Sequence, residues 1–265
     1  MREPIPIPSR SPWVRQILVI IALLNREVAT RFGQYRLGLF WMLAEPLIGV
    51  IVIGLIIGGI AGRTVPEIPY SYFVLNGMLM LKLFTAPMNS GINAIESNQG
   101  LLVYPTVRPL DPFLARFVFE FLTIFLSFAV FCIIGLWIGA DFSFQFLNIL
   151  AACYLITWLT GCGFGLIFGV LAAHYSDFEK IVNVVQRPLL FVSAVLFPIS
   201  AMPGHAKEIL LWNPLVHTIE LSRKALFPYY HAEGANLLYP TIFAIIVASI
   251  GLSLFHLNRN FLSHR

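Results

Sequence analysis

The chain has 265 residues, of which 58% are hydrophobic and 11% are charged, and its formal net charge is +4. Soluble proteins usually carry about 25% charged residues, so this composition excludes an ordinary soluble domain. Residues 142–173 and 234–255 contain no Asp, Glu, Lys, Arg or His, and about 20 consecutive apolar residues suffice to span a bilayer. Both runs lack the polar–apolar alternation of outer-membrane barrel strands. The sequence therefore predicts an all-α, polytopic membrane protein.

The N-terminal region predicts an interface helix rather than a span. Residues 1–12 contain four prolines, which favour an extended chain. The apolar stretch 17–24 has eight residues, or roughly 12 Å of helix, which is too short for a bilayer core. No small-residue cleavage site follows it, as a signal sequence would require. Residues 13–34 are therefore interpreted as an amphipathic helix that lies in the membrane interface.

Six membrane spans follow from the remaining apolar runs. We place them at residues 37–60, 70–93, 112–138, 146–172, 181–199 and 237–257. Residues 1–265 then form a single transmembrane domain. It divides into a cytoplasmic tail and interface helix (1–36), spans one to five (37–199), an outer segment (200–236), and span six with a second cytoplasmic tail (237–265).

The basic residues predict the orientation of these spans. With the N-terminus in the cytoplasm, 12 of the 17 Lys and Arg residues lie in inner segments, 4 lie in outer segments, and Lys82 lies within span two. Lys and Arg are enriched in the cytoplasmic loops of membrane proteins. The sequence therefore predicts that both termini are cytoplasmic.

The outer segment 200–236 contains two apolar helical stretches that are broken at Asn213-Pro214. One interpretation is a re-entrant helix–break–helix, because irregular backbone at membrane depth is tolerated where protein or water surrounds it. A helical hairpin on the surface is the alternative. The basic residues Lys207, Arg223 and Lys224 would lie on this outer side, where they would guide an acidic polymer or bind lipid phosphates.

Several motifs of enzymes are absent from the sequence. It contains no G-x-x-x-x-G-K-[ST], H-E-x-x-H or G-x-S-x-G pattern, so we expect no ATP hydrolysis by this chain and find no support for a membrane hydrolase. Cys132, Cys153 and Cys162 all lie in apolar runs, and an odd number of buried cysteines argues against a disulfide framework or metal cluster. We interpret them as packing residues.

Two sets of basic residues within the apolar chain require an explanation. Lys82 lies in span two, where a charge costs about 2.5–3.5 kcal/mol on insertion scales. It either contacts an anionic substrate or pairs with Glu45 of span one. Arg26, Arg31 and Arg36 recur every five residues, and they either bind an anionic lipid or polymer end or simply fix the topology.

Aromatic residues and one inner loop are further candidates. Trp41 and Tyr72 lie near predicted span ends, where aromatic rings anchor spans at the interface, although rings facing a channel would also suit sugars. The inner loop 96–105 reads as a short amphipathic helical turn that is ended by Pro105. It is either a contact for a partner or an ordinary connection.

Three motifs spaced along the predicted spans resemble those of a known family. The first is Arg26-Glu27-Val28 with Arg31-Phe32, Leu37-Gly38, Trp41 and Glu45-Pro46-Leu47; the second is Asn98-Gln99-Gly100-Leu101-Leu102 through Pro105; the third is Trp212-Asn213-Pro214-Leu215 with Glu220 and Arg223. Together they resemble the membrane subunits of ABC exporters for cell-surface polysaccharides, specifically the capsular polysaccharide export permeases. The resemblance covers nearly the whole chain.

This resemblance implies a homodimer that binds two copies of a separate ABC ATPase subunit, which uses ATP and Mg, while this chain binds no cofactor. It also implies a periplasmic co-polymerase adaptor and an outer-membrane channel as partners, and no nucleic acid. The substrate would be a lipid-linked capsular polysaccharide that moves from cytoplasm to periplasm across the bacterial inner membrane, through a channel at the dimer interface.

The resemblance also assigns roles to residues. The ATPase coupling segment would comprise Asn98, Gln99, Gly100, Leu101, Leu102 and Tyr104. The re-entrant segment would include Asn213, Pro214, Glu220 and Arg223, and the substrate pathway Lys82, Arg31, Arg36, Trp41 and Tyr72. Alternatives are a permease of the same fold for O-antigen, teichoic acid or a small lipophilic compound, and, less favoured, a membrane enzyme, scaffold or ion channel.

Overall fold

The fold is given by a computed structural model, which describes residues 11–32, 48, 68–102, 107–175 and 177–264. Its α-helices in these ranges are α1 (Pro12–Phe32), α2 (Tyr70–Ile92), α3 (Gln99–Leu102), α4 (Asp111–Ile138), α5 (Leu147–His174), α6 (Phe178–Gln186), α7 (Leu189–Val192), α8 (Gly204–Leu210), α9 (Pro214–Leu226) and α10 (Leu238–His264). Short 3-10 turns cover Glu96–Asn98 and Ile199–Ala201. The all-α prediction is confirmed for the described residues, which contain no strand.

Three long helices have the length and composition of membrane spans. They cover Asp111–Trp137, Leu147–His174 and Leu238–Leu262, and correspond to predicted spans three, four and six. Helix α2 begins at Tyr70, as predicted for span two, and its 23 residues extend for about 35 Å. It carries polar side chains such as Asn76 and Lys82 and is not one of those three helices. Predicted span one, 37–60, lies outside the described residues except for Ile48.

Helix α1 confirms the helical part of the N-terminal prediction. It covers Pro12–Phe32 and ends two residues before the predicted boundary. One side of α1 packs against α4, whereas Trp13 and Ile17 are exposed. The position of α1 in the membrane interface stays a prediction.

The prediction of one continuous helix for span five is wrong. Residues 181–199 contain the end of α6, then Arg187-Pro188, the single turn α7, and turns up to Pro198. Pro188 lacks the N–H that a continuous helix needs, and its ring clashes with the preceding turn. Further on, Ala194 has a φ of 53°, which is outside the right-handed helical region.

The predicted break at Asn213-Pro214 is confirmed. Helix α8 ends at Leu210, and α9 begins at Pro214. The side chain of Asn213 accepts a hydrogen bond from the Leu215 N–H at 3.0 Å, which satisfies a free donor at the helix start. Helix α9 packs against α2, α5 and α10 and buries most of its residues, whereas α8 buries none. A surface hairpin therefore describes only the α8 half.

Helices α2 and α5 pack closely because glycines line one face of α5. A Cβ added to Gly161, Gly165 or Gly169 would lie 2.5, 2.6 or 2.7 Å from the carbonyl oxygens of Phe84, Pro87 and Gly91, respectively. This four-residue spacing of small residues is typical of close contacts between membrane helices. The glycines fix α2 against the long helix α5, and α2 in turn carries the polar residues described below.

Candidate functional site: a coupling segment and two polar clusters

The predicted coupling segment follows α2 directly and is held by α1. The side chain of Asn98 is buried; its Nδ2 donates to the Ala94 carbonyl at 2.8 Å, and its Oδ1 accepts from Arg26 Nη1 at 2.9 Å. Arg26 Nη2 donates to the Ser97 carbonyl, also at 2.9 Å. Arg26 therefore bonds Asn98, the first residue of the segment, and Ser97, which directly precedes it. These bonds connect the segment to the predicted interface helix.

The members of the coupling segment differ in accessibility. Asn98 is 5% exposed, so it anchors the segment instead of presenting a surface to a partner. Gln99 and Gly100 are exposed and are available for contact. The side chains of Leu101 and Leu102, and all of Tyr104, lie outside the described residues.

A charged cluster lies between α1 and α4. Arg31 Nε lies 3.0 Å from Glu27 Oε1, and Arg31 Nη1 lies 2.8 Å from Glu120 Oε1. The Arg31 guanidinium also lies 4.8 Å from the centroid of the Phe119 ring. Arg116 Nη1 donates to the Ser90 carbonyl at 3.0 Å and so connects α4 to α2. Arg31, predicted as a substrate contact, is thus paired with two carboxylates.

This cluster borders a polar cavity of about 530 Å³ between α1, α2 and α4. The cavity is lined by Arg26, Glu27, Thr30, Arg31, Ala86, Asn89, Ser90, Asn93, Ser97, Arg116 and Glu120. It opens next to the coupling segment, because Ser97 lines the cavity and directly precedes Asn98. Three guanidinium groups and two carboxylates meet in it.

The other predicted pathway residues are not gathered at this cavity. Tyr72 packs against Phe131 and Phe142, with ring centroids 5.7 Å away in both cases. Lys82 is half-buried on α2, ten residues from Tyr72 or about 15 Å along the helix axis. Arg36, Trp41 and Glu45 lie outside the described residues, so the alternative pairing of Lys82 with Glu45 stays a prediction.

A second polar cluster surrounds Arg223, which is fully buried. Its Nη1 donates to the Ala194 carbonyl at 2.9 Å and to Glu220 Oε1 at 3.1 Å. Its Nη2 donates to the Val195 carbonyl at 2.7 Å, and the guanidinium lies 3.5 Å from the centroid of the Phe73 ring. Arg223 thereby satisfies carbonyl groups that the broken helix after α7 leaves free, as irregular backbone inside a membrane protein requires.

The charge of Arg223 is balanced inside the fold. Glu220, also fully buried, accepts hydrogen bonds from the Tyr230 hydroxyl at 2.7 and 2.8 Å. The prediction that Arg223 belongs to an outer basic surface is therefore wrong, because a side chain in this position is not accessible to a polymer. Its neighbour Lys224 is exposed.

The third predicted outer cation, Lys207, forms a surface ion pair. Its Nζ lies 2.6 Å from Glu233 Oε2. The hydrogen bond and the positive charge of Lys207 lower the pKa of the Glu233 carboxyl below its ordinary value. Both residues belong to the outer segment, so this is a local contact. A surface ion pair of this kind contributes little to stability.

Sequence reasoning missed several polar residues that organise these clusters. Arg116 and Glu120 are a pair at i and i+4 in a helix whose other charged residue is Asp111 at its start, and this charge pattern within an apolar helix is a signal that sequence reasoning can use. Asn89 and Gln186 exchange hydrogen bonds between their amide groups, one of them 3.0 Å long, and thus connect α2 to α6. No local signal identifies that pair, since 97 residues separate its members.

These features define a helical membrane protein whose sequence contains no ATPase motif. Residues 19–227 match the family model of the ABC-2 type transporter. The chain belongs to this family, whose membrane domains are transport subunits that work with an ATPase partner.

Named relatives extend over nearly the whole chain. The polysialic acid transport protein KpsM of Escherichia coli is 36% identical over 93% of this chain and 96% of its own length. The capsule polysaccharide export inner-membrane protein BexB of Haemophilus influenzae is 29% identical over 89% of this chain and 87% of its own. The corresponding protein CtrC of Neisseria meningitidis serogroup A is 27% identical over 89% of each chain. The predicted class, a transport permease of the ABC type, is confirmed.

Proposed function

We propose that this protein is the membrane subunit of an ATP-driven exporter that moves lipid-linked capsular polysaccharide from the cytoplasm to the periplasm across the inner membrane. The names and coverage of its relatives support this substrate class. Two copies of the chain would enclose the channel, since a long polymer cannot be engulfed by one compact subunit. Both termini would face the cytoplasm, in keeping with the distribution of Lys and Arg.

The observation that carries the proposal is the contact between Arg26 and residues Ser97 and Asn98. A short exposed helix after a membrane span has few contacts of its own, so it needs an anchor to transmit a movement. Arg26 supplies that anchor from the interface helix. Gln99 and Gly100 would then contact an ATPase subunit, and a displacement of the segment would be passed to α1 and α2 together.

Substrate contacts are assigned on the same basis. Lys82 and Asn89 of α2 and Asn93, which directly follows this helix, are spaced at intervals of seven and four residues. They therefore lie on one side of α2 and its C-terminal end. All three are half-buried. We assign this side of α2 to the substrate pathway, with Lys82 as the cation that attracts an acidic chain. A periplasmic adaptor and an outer-membrane channel would receive the polymer.

ATPase stimulation tests the proposal. The chain is purified with its candidate ABC ATPase subunit in nanodiscs, and hydrolysis is measured with and without lipid-linked capsular polysaccharide. We expect the substrate to stimulate hydrolysis. The variant Gln99→Arg should lower the stimulated rate about tenfold, the effect of losing roughly 1.4 kcal/mol at an interface.

A matched variant controls for the added charge. Gln145 is also exposed but lies between α4 and α5, on the predicted outer side, so Gln145→Arg should leave stimulation unchanged. Failure of the chain to form a complex with any ABC ATPase would refute the proposed function. Equal effects of the two substitutions would refute the assignment of the coupling segment.

A further inference from the structure

We propose that the polar cavity between α1, α2 and α4 binds the phosphodiester group of an anionic lipid, with Arg116 and Arg31 as its main cationic residues. One source of this group is the lipid anchor of the exported polymer, and in that respect the inference rests on the proposed function. Headgroups of the surrounding membrane are the other source.

The balance of charge in the cavity favours a singly charged anion. Among its lining residues, Arg26, Arg31 and Arg116 carry three positive charges, and Glu27 and Glu120 carry two negative charges. One positive charge is left over in this set, and a phosphodiester carries one negative charge. A guanidinium group also matches the geometry of phosphate oxygens.

Arg116 is the residue whose environment is least complete. It is 8% exposed, and its Nε makes no hydrogen bond with any described residue. The nearest carboxylate oxygen, Glu27 Oε1, lies 3.5 Å from this Nε and already accepts a hydrogen bond from Arg31. Buried polar groups are usually satisfied, so the cluster is short of acceptors, and phosphate oxygens would supply them.

The rest of the lining supplies neutral polar groups and space. The side chains of Asn89, Asn93 and Thr30 line the same cavity. The Thr30 hydroxyl donates to the Arg26 carbonyl at 2.8 Å. The Asn89 and Asn93 amides donate to Gln186 and Glu179, and each amide nitrogen keeps a second N–H for a ligand. Its volume of about 530 Å³ is within the range of small-molecule sites. The α1 wall belongs to the amphipathic helix assigned to the membrane interface, which is the depth of lipid headgroups. A phosphodiester could therefore reach the cavity without leaving the membrane.

Binding of short-chain phosphatidylglycerol to the purified full-length chain tests this inference, with phosphatidylcholine as the zwitterionic comparison. We expect phosphatidylglycerol to bind about tenfold more tightly, because the surplus positive charge of the cavity repels the choline ammonium of phosphatidylcholine; tenfold corresponds to about 1.4 kcal/mol. Arg116→Gln and Thr30→Glu should each remove most of this preference. Thr30 is exposed at the cavity wall, so Thr30→Glu adds a repelling charge without removing a buried group, and it decides the test if Arg116→Gln fails to fold.

Asn25→Glu is the matched control, because Asn25 is exposed on the same helix and is not part of the cavity lining. It should leave the preference unchanged. Equal binding of the two lipids, or an undiminished preference in folded Thr30→Glu, would overturn the proposal. Addition of lipid-linked polysaccharide distinguishes the sources: competition supports the polymer anchor as occupant, and its absence supports a membrane phospholipid. The lipid-binding measurements do not involve the ATPase. A negative result would therefore refute the lipid site without refuting the proposed export function, which the ATPase measurement tests separately.

Discussion

The contact between α2 and α5 predicts that Gly165 does not tolerate even a methyl group. A Cβ at Gly165 would lie 2.6 Å from the Pro87 carbonyl oxygen and 2.9 Å from two ring carbons of Phe117. Ordinary contacts begin near 3.4 Å, so the methyl group is about 0.8 Å too close to a backbone atom. The backbone cannot rotate away as a side chain does. The two helices must therefore separate, which loosens the neighbouring contacts of Gly161 and Gly169 as well.

The size of the effect follows from two opposing terms. Replacing glycine by alanine within a helix stabilises it by up to about 1 kcal/mol, whereas overpacking a close contact costs about 1–3 kcal/mol. Gly100→Ala is the control, because nothing lies within 4 Å of a Cβ at Gly100 and it belongs to helix α3. Both variants gain the propensity term, and only Gly165→Ala incurs the overpacking cost. We therefore expect Gly165→Ala to be less stable than Gly100→Ala by about 1–3 kcal/mol.

Thermal unfolding of the purified chain in detergent, followed by tryptophan fluorescence, measures this difference. Each kcal/mol corresponds to roughly 2–4 °C in the midpoint for a chain of this size. A midpoint for Gly165→Ala that is equal to or above that of Gly100→Ala would refute the reasoning about glycine packing.

Three further predictions concern charged residues. Arg223→Met leaves the Glu220 carboxylate buried without its cation and should destabilise the fold by about 3–5 kcal/mol in thermal unfolding, whereas Lys224→Met, at an exposed position, should have little effect. Lys82→Ala should abolish polymer export at normal protein level and Lys82→Arg should retain it; normal export by the alanine variant would exclude Lys82 from the pathway. Because the hydrogen bond and charge of Lys207 lower the pKa of Glu233, their ion pair should break at a lower pH than that at which an ordinary glutamate carboxyl is protonated. In an NMR titration Lys207→Gln should raise the Glu233 midpoint, and an unchanged midpoint would contradict this contact.

Long apolar runs made α5 and α10 predictable. Residues 142–173 and 234–255 are free of charged residues, and α5 and α10 cover most of them. In the lipid core the backbone N–H and C=O groups of a single segment can be satisfied only by forming a helix, so an apolar composition is enough to predict helix there. The break at Asn213-Pro214 was predictable for a similar reason, since a cap followed by proline is a local signal for a helix start.

Composition failed at span five because apolar character does not specify a continuous helix. Residues 181–199 are mostly apolar, yet Pro188 and Pro198 lie among them, and a proline inside a helix removes a backbone hydrogen bond. The irregular backbone that results is tolerated because Arg223 bonds the Ala194 and Val195 carbonyls. That partner lies 28 or more residues away along the chain, so no local pattern could show it.

The sequence allowed some individual residues of the polar clusters to be predicted, but not how these residues group in space. Arg26, Arg31 and Arg223 are recognisable as cations in an apolar chain, but each also has a partner from a distant part of the sequence. Glu120 lies 89 residues from Arg31, and Phe73 lies 150 residues from Arg223. Whether a buried cation is satisfied or available for a ligand depends on such partners. Sequence alone therefore could not separate the structural Arg223 from the cavity residue Arg116.

Helix α2 connects the two clusters, and the way it is held predicts how it moves. Phe73 contacts Arg223 at one end, and Ser90 contacts Arg116 at the other, about 26 Å apart along the axis. Pro87 lies inside α2, and proline is the usual cause of a kink, so α2 could bend there instead of moving as one body.

The α5 glycines argue for movement as one body. They contact the carbonyls of Phe84, Pro87 and Gly91, so they hold α2 on both sides of the proline. Pro87→Ala removes the potential hinge while keeping the carbonyl that faces Gly165. If α2 moves as one body, this variant should couple ATP hydrolysis to export as well as the native chain does. Loss of export with retained, substrate-stimulated hydrolysis would show instead that α2 bends at Pro87 during transport.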